Sequence, residues 1–229
     1  MRYKVDFNYQ KVKLVAMSKP EVDGILSPEE FIGYVARVSN PTNQTNNDTA
    51  PKLLKYLQVN KHWSPFEMVN VCLEIITTRD IGRQILRHRS FHFQEFSQRY
   101  AALGEDDFGI REPRLQDLKN RQNSVDMTEA DEELQKRFID GQKAVQELAV
   151  KEYLNALKMG IAKEQARVML PEGMALSRMY MNGTLRDWIH YIIVRTDIST
   201  QKEHRDIAIK AREIIIKKFP SLETTLVLT

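Results

Sequence analysis

The residues of this chain that could do chemistry are mostly arginines. Arg87-His88-Arg89 is followed, after seven residues, by Ser97, and the run continues through Arg99-Tyr100. With Arg79 and Arg83 just upstream, five arginines fall within about two dozen residues. A guanidinium stays charged at any working pH and presents a planar fork of donors that matches phosphate or carboxylate. The run predicts a site for one or more such anions. Glu95 can orient an arginine or accept from a sugar hydroxyl, and Ser97 can donate to phosphate. The phosphate-cradling patterns Gly-x-Gly-x-x-Gly and Gly-x4-Gly-Lys-Ser/Thr are absent from the sequence, so side chains must do the holding. The plainer alternative is a solvated basic helix followed by an edge strand.

Three further segments carry candidate groups. In Thr184 to Arg195, the residues Leu185, Trp188, Ile189 and Ile192 form the apolar stripe of a helix, while Arg186 and His190 share another face. Arg195 comes five positions after His190, more than a third of a turn away at about 3.6 residues per turn, so the two need not serve one ligand. In His62-Trp63-Ser64-Pro65-Phe66-Glu67, polar groups surround a turn set by proline. In Ala166 to Pro171, Arg167 sits at an apolar helix end and needs an anion, from a ligand or from the protein. His88 and His92 have the i, i+4 spacing of a zinc pair, but arginines flank His88 and no metal is expected. Cys72 lies mid-strand in an apolar run and reads as a buried, inert thiol.

The elements that must position these groups read as a helix-weighted α/β mixture. Lys11 to Met17 and Val69 to Thr77 read as strands. Ser27-Pro28-Glu29-Glu30 is a helix start, with a capping serine, proline at the first position and acids near the positive end of the dipole. That helix should end near Val38. A second runs from Ala50 to Val59 on Leu53, Leu54 and Leu57. A short one is predicted over Ile81 to Arg87, capped by Thr78 or Asp80. Arg79, Arg83 and Arg87, four apart, would then line one face. Ser90 to Ala101 reads as a strand, with Glu95, Ser97 and Arg99 on one side. Gly104 to Met127 looks like a surface excursion. Thr128 to Lys158 reads as one long helix that buries Leu134, Phe138, Val145, Leu148 and Leu157. Helices are expected to fill most of Lys163 to Lys218, broken near Pro171-Glu172-Gly173 and Asn182-Gly183. The strands come in separated pieces, so the expected fold is a single α+β domain over residues 1–229, with a mainly antiparallel sheet packed by helices.

Composition narrows the class. The chain has 229 residues, 42% hydrophobic and 28% charged, an ordinary soluble mixture. A net charge of +3 is too small for a general nucleic-acid coat. A single cysteine excludes an intrachain disulfide and a cysteine-based zinc site. No apolar segment suits a signal peptide or a bilayer span. The expectation is a cytoplasmic protein with no membrane or nucleic-acid partner.

Taken together, these segments resemble the flavin-dependent thymidylate synthases. Arg-His-Arg, seven residues, Ser is that family's signature, present as Arg87-His88-Arg89 with Ser97. The resemblance extends over Ala36 to Ser39, His62 to Glu67, Gln84 to Tyr100, Ala166 to Pro171 and Thr184 to Glu203, in one order and at compatible distances. It implies synthesis of dTMP from dUMP, with methylenetetrahydrofolate as carbon donor, NADPH as electron source and FAD as carrier. Gln84, Arg87, Glu95, Phe96, Ser97, Gln98, Arg99, Arg167 and Arg195 would bind dUMP. Ser39, Ser64, Glu67, Arg87, His88, Arg89, Glu95, Thr184, Arg186 and His190 would lie around FAD, and His62 matches a histidine near the flavin. The resemblance also implies a homotetramer whose active sites are assembled between subunits. It implies no covalent protein nucleophile, so Ser97 would be a phosphate ligand. Arg195 is the candidate catalytic residue: a cation against the N3/O2 edge of uracil stabilises negative charge there and raises electron density at carbon 5. Gln98 and Gln94 depart from the residues usual at their places in the signature. Thr184 replaces an asparagine. Ser199 stands where some members place a flavin-contacting histidine, so that contact is not carried over.

A reading from another class treats the arginines as phosphate contacts of a single-strand nucleic-acid binder, with Phe91, Phe93 and Tyr100 as stacking platforms. The modest net charge and the spread of anion-binding residues over distant segments weigh against it.

Overall fold

The computed structural model describes residues 7–104 and 106–228. Its elements are β1 (Lys11–Met17), α1 (Pro28–Ala36), α2 (Ala50–Val59), β2 (Asn70–Thr78), α3 (Arg79–Ile85), β3 (His92–Glu95), β4 (Arg114–Gln116), β5 (Ser124–Asp126), α4 (Glu132–Lys158), α5 (Lys163–Ala166), β6 (Leu176–Thr184), α6 (Leu185–Arg195) and α7 (Lys202–Lys218). The fold is of α+β type, with a mainly antiparallel four-stranded sheet in the order β1-β2-β6-β3. Strands β4 and β5 form a separate antiparallel pair, with Leu115 opposite Val125. Among the described residues, no helix is long and apolar enough to cross a membrane.

The chain divides into two compact units. The first comprises Met1–Lys11, Ile76–Arg87 and Glu95–Met179. Its core gathers Leu103, Tyr153, Ala156, Ala166, Leu170 and Ala175, with Phe96, Phe108, Leu154 and Leu157 packed on it. The second comprises Val12–Ile75, His88–Gln94 and Tyr180–Thr229. There α1 packs on α2 and α6 on α7, over a core that includes Ile32, Leu54, Phe66, Leu73, Trp188, Tyr191 and Ile207.

Local chemistry explains several boundaries. Ser27 accepts from the Glu30 amide while Glu30 accepts from the Ser27 amide, so a full capping box starts α1. Thr184 and Asp187 make the same reciprocal pair at α6. Gly160, at φ +82, follows α4 in the left-handed conformation that glycine adopts without steric cost.

The structure corrects six expectations. The strand proposed for Ser90 to Ala101 is confined to His92–Glu95. Beyond it the amides of Tyr100 and Ala101 turn back onto the Ser97 carbonyl at 3.1 and 3.3 Å, so Glu95, Ser97 and Arg99 do not share an extended face. Helix α3 begins two residues early and ends before Arg87, which lies in a turn; the arginines at 79, 83 and 87 therefore form no single helical stripe. Residues 176–181, read as helical, belong to β6, which runs on through the expected break to Thr184. The alternation is there, but its inward residues are Ser177, Met179, Met181 and Gly183, types that carry little strand signal. On α4 the buried side is Ile139, Ala149, Val150, Tyr153 and Ala156. Leu134, Phe138, Val145 and Leu148 are exposed. Small alanines let this helix approach the core closely, a choice that hydrophobic size alone does not reveal. The excursion at 104–127 is anchored: Arg111 makes a bidentate pair with Asp80 at 2.9 and 3.0 Å, and Phe108 bridges to Ala175. Cys72 is half-buried rather than buried, with burial still raising its thiol pKa.

Candidate active site

Helix α6 carries the second unit's candidates. The sequence places Leu185, Trp188, Ile189 and Ile192 inward, and all four are buried. Trp188 donates from Nε1 to the Val71 carbonyl at 2.9 Å, which pins the helix to β2. Gly183 is required just before it: a Cβ there would sit 2.5 Å from the Phe91 ring. The opposite face presents Arg186 and His190 to a cavity of about 380 Å³, lined also by Trp63, Glu67, Ser90, Asp187, Ile189 and Ile193. The turn Ser64–Met68 packs against α6, and Glu67 forms an ion pair with Arg186. Glu67, Arg186 and His190 are thus brought together as sequence suggested. Trp63 and Ser90 also line the cavity, where their sequence context alone assigns them no role. Thr184 spends its hydroxyl on Asp187, at 2.6 Å, in the helix cap. Ser39, His62 and Ser64 are exposed in the same unit and outside that lining. His62 stands edge-on to Tyr56 at 5.8 Å. Arg89 is exposed and, among the described residues, has no ion-pair partner.

The far end of α6 is drier. Arg195 Nε donates to His88 Nε2 at 2.9 Å. His88 is pushed down to about 4, first by burial, then by Arg195 and His190. His204 is pushed down to about 3 by burial, Arg195 and His88. Both imidazoles are therefore neutral near pH 7. Burial raises the Tyr191 phenol, whose hydroxyl is 3.1 Å from His204 Nε2.

The first unit holds most of the anion candidates. Glu95 accepts from the Ser177 hydroxyl at 2.8 Å and lies 3.5 Å from Arg79 Nη1. Arg79 and Arg83 share Glu172 as a carboxylate partner. Neither Ser177 nor Glu172 was legible as a partner, being 82 and 89 positions from the residues they bond. The Phe96 amide donates to the Arg178 carbonyl at 2.8 Å. The turn after Phe96 is tied to α5 by Lys163 Nζ on the Tyr100 carbonyl at 3.0 Å and by Arg99 with Glu164 at 3.8 Å. Arg167 follows α5 directly, so Phe96, Ser97, Gln98, Arg99 and Arg167 come together. Gln98 is buried and its Nε2 lacks a hydrogen-bond partner among the described residues. Half-buried Arg167 and exposed Arg87 likewise have no ion-pair partner among the described residues. Gln84 is half-buried on α3. A buried donor without an acceptor is costly, and two unpaired guanidinium groups with it suit an anionic, hydrogen-bonding ligand.

The second unit's cavity suits a flavin on its chemistry. Trp63, Ile189 and Ile193 give an apolar wall for a flat ring, and Arg186 gives a cation for phosphate. Its volume lies near the low end of the roughly 300–1,000 Å³ typical of ligand pockets, room for part of a dinucleotide.

Comparison with known proteins agrees with these observations. The family described as "Thymidylate synthase complementing protein" matches residues 22–221. The chain is 50% identical to a probable flavin-dependent thymidylate synthase of Paramecium bursaria Chlorella virus 1, over 93% of this chain and 97% of that one. It is also 50% identical to a flavin-dependent thymidylate synthase of Synechocystis sp., over 94% and 98% of the two chains. Among solved structures, a UMP/dUMP methylase from Streptomyces cacaoi superposes with a TM-score of 0.79 at 23% identity, covering 96% of this chain and 97% of that one. The chain belongs to the flavin-dependent thymidylate synthase family.

Proposed function

We propose that the protein forms dTMP by reductive methylation of dUMP, with methylenetetrahydrofolate as carbon donor and NADPH as reductant. FAD, when bound, would supply the redox chemistry between reductant and carbon donor. The observation that carries the reading is the turn Phe96 to Arg99 beside Arg167, with an unsatisfied buried donor on Gln98 in a chain of this family. The Streptomyces cacaoi neighbour is described as bound to 5-bromo-dUMP, which supports a nucleotide as the ligand.

Each group then has a task. Ser97, Arg99, Arg87 and Arg167 hold the dUMP phosphate, with Arg87 shared with the flavin. Gln84, Phe96 and Gln98 complete the nucleotide contacts. Glu95, held in place by Arg79 and Ser177, accepts from the sugar. Arg195 lies against the N3/O2 edge of uracil and stabilises the negative charge that makes carbon 5 nucleophilic. Arg186, His190, Glu67, Arg89, Thr184 and Ser64 position the flavin, with Ser39 and His62 at its periphery. Positioning and field are the protein's contribution. We read residues 1–229 as one functional domain and the assembly as a cytoplasmic homotetramer with active sites shared between subunits; a cavity with room for only part of a dinucleotide supports the sharing.

Purified protein should be yellow, with flavin absorbance that bleaches under NADPH, and should convert dUMP to dTMP when methylenetetrahydrofolate and NADPH are supplied. Arg195→Ala should abolish dTMP formation while flavin stays bound. A colourless protein that cannot be loaded with FAD yet binds oligonucleotides would overturn the reading in favour of a single-strand binder.

A further inference from the structure

Three buried aromatic groups in the second unit have no part in the chemistry above. His204, on α7, is fully buried with its Nε2 3.1 Å from the Tyr191 hydroxyl. The buried Tyr191 ring stands edge-on to His88, with centroids 4.9 Å apart and planes at 79°. His204 approaches the same imidazole edge-on at 6.2 Å, and Phe91 does so at 6.5 Å. Three aromatic rings thus fix the plane of His88. That plane aims Nε2 at one atom, the Nε of Arg195, at 2.9 Å.

A guanidinium has five N–H donors in a rigid fork. The Nε–H points along one edge, and the Nη1 and Nη2 groups form the planar end. Once Nε–H is committed to His88, the end pair remains for a ligand, and its plane is set by the imidazole. We infer that His88 is a positioning residue: its neutral imidazole accepts the Nε–H of Arg195 and presents the Nη1/Nη2 end to the N3/O2 edge of the nucleobase. This rests on the reading of Arg195 as the polarising cation. The acceptor role requires Nε2 to carry no proton, so Nδ1 holds the hydrogen in the neutral ring. An imidazolium there would offer no acceptor and would repel Arg195. The charged or titratable groups facing His88 are Arg195 and His190 of α6, with Tyr191 of α6 and His204 of α7 in ring contact. The resemblance places His88 beside the flavin. This geometry adds a separate duty, exerted through Arg195.

The test uses the flavin-loaded protein and three variants. His88→Phe keeps a flat ring and removes the acceptor. His88→Gln places Oε1 where Nε2 lies, keeping the acceptor without the ring. Arg195→Ala reports on the cation itself. Flavin content is read by absorbance, and kcat and KM for dUMP are measured per flavin bound. His88→Phe should lower kcat about 10- to 100-fold, less than the roughly 100- to 1,000-fold of a wholly lost transition-state donor because the cation remains, with KM for dUMP changed less than about threefold. His88→Gln should return kcat to within about fivefold of the parent protein. A His88→Phe variant with parental kcat overturns the inference, as does a flavin-loaded His88→Gln variant no better than His88→Phe. If His88→Phe fails to fold or to hold flavin, His88→Gln decides alone: near-parental kcat supports positioning, and kcat as low as that of Arg195→Ala overturns it. Parental activity in Arg195→Ala would remove the polarising role itself and separates that failure from a failure confined to His88.

Discussion

Ser97 closes the Arg87 to Ser97 signature, and its setting favours binding over attack. It sits in a turn whose Ser97 carbonyl accepts from the Tyr100 amide, and among the described residues its hydroxyl receives only a long 3.4 Å contact from the Arg99 amide. Ser97→Ala should raise KM for dUMP about tenfold, the worth of one charge-assisted hydrogen bond, and leave kcat at saturating dUMP unchanged in steady-state assays. The histidine pair adds a pH signature. His88 and His204 have folded pKa values near 4 and 3, below the ordinary value of about 6.5. The unfolded chain therefore binds more protons than the folded one as pH falls below 6.5, and stability must fall with it. The effect is absent above about pH 7 and grows down to about pH 4, where the His88 contribution levels off. Thermal melts between pH 7.5 and 4.5 should show a falling Tm, and His204→Phe, if folded, should flatten the slope. Arg87, Arg89 and Ser97 were legible as candidates because their types and spacing are local. Ser177, which holds Glu95, was not, because only the fold brings it there.

The two elements that matter most for the site are β6 and α6, joined at Gly183-Thr184-Leu185. The capping box at α6 is a local device, set by Thr184 and Asp187 three residues apart. Thr184→Ala should cost about 1 kcal/mol in urea denaturation. Strand β6 was misread because its inward residues are small or flexible, although the alternation is complete. The reason for a glycine at 183 is tertiary: the Phe91 ring occupies the space a side chain would take. Gly183→Ala should destabilise the protein by about 1–3 kcal/mol through overpacking and shift the start of α6, lowering flavin occupancy more than helix content by circular dichroism. Helix α4 shows the same limit. Its existence and its end at Gly160 follow from local pattern, whereas its inward face is chosen by which residues let it approach the Leu103–Tyr153 core.

The chain as a whole links its stability to its ligands. A flavin that binds the folded chain alone stabilises it by about 2.7 kcal/mol at 100 times its dissociation constant. For a chain of 229 residues that is about 5–11 °C in Tm. A melt with and without FAD checks this, and Arg186→Ala, which removes the cavity's cation, should shrink the shift. The family, the α+β class, most helix starts and the arginine-rich signature were all readable in the order of residues. Those features depend on neighbours within a turn or two, where periodicity, capping and motif spacing act. Three matters were decided only in space: the clamping of Glu95 by Arg79 and Ser177, the spending of Thr184 on its own helix cap, and the seating of Arg195 Nε on His88. Each depends on the direction of a side chain or on partners far along the chain, and such directions are fixed by packing rather than by local preference.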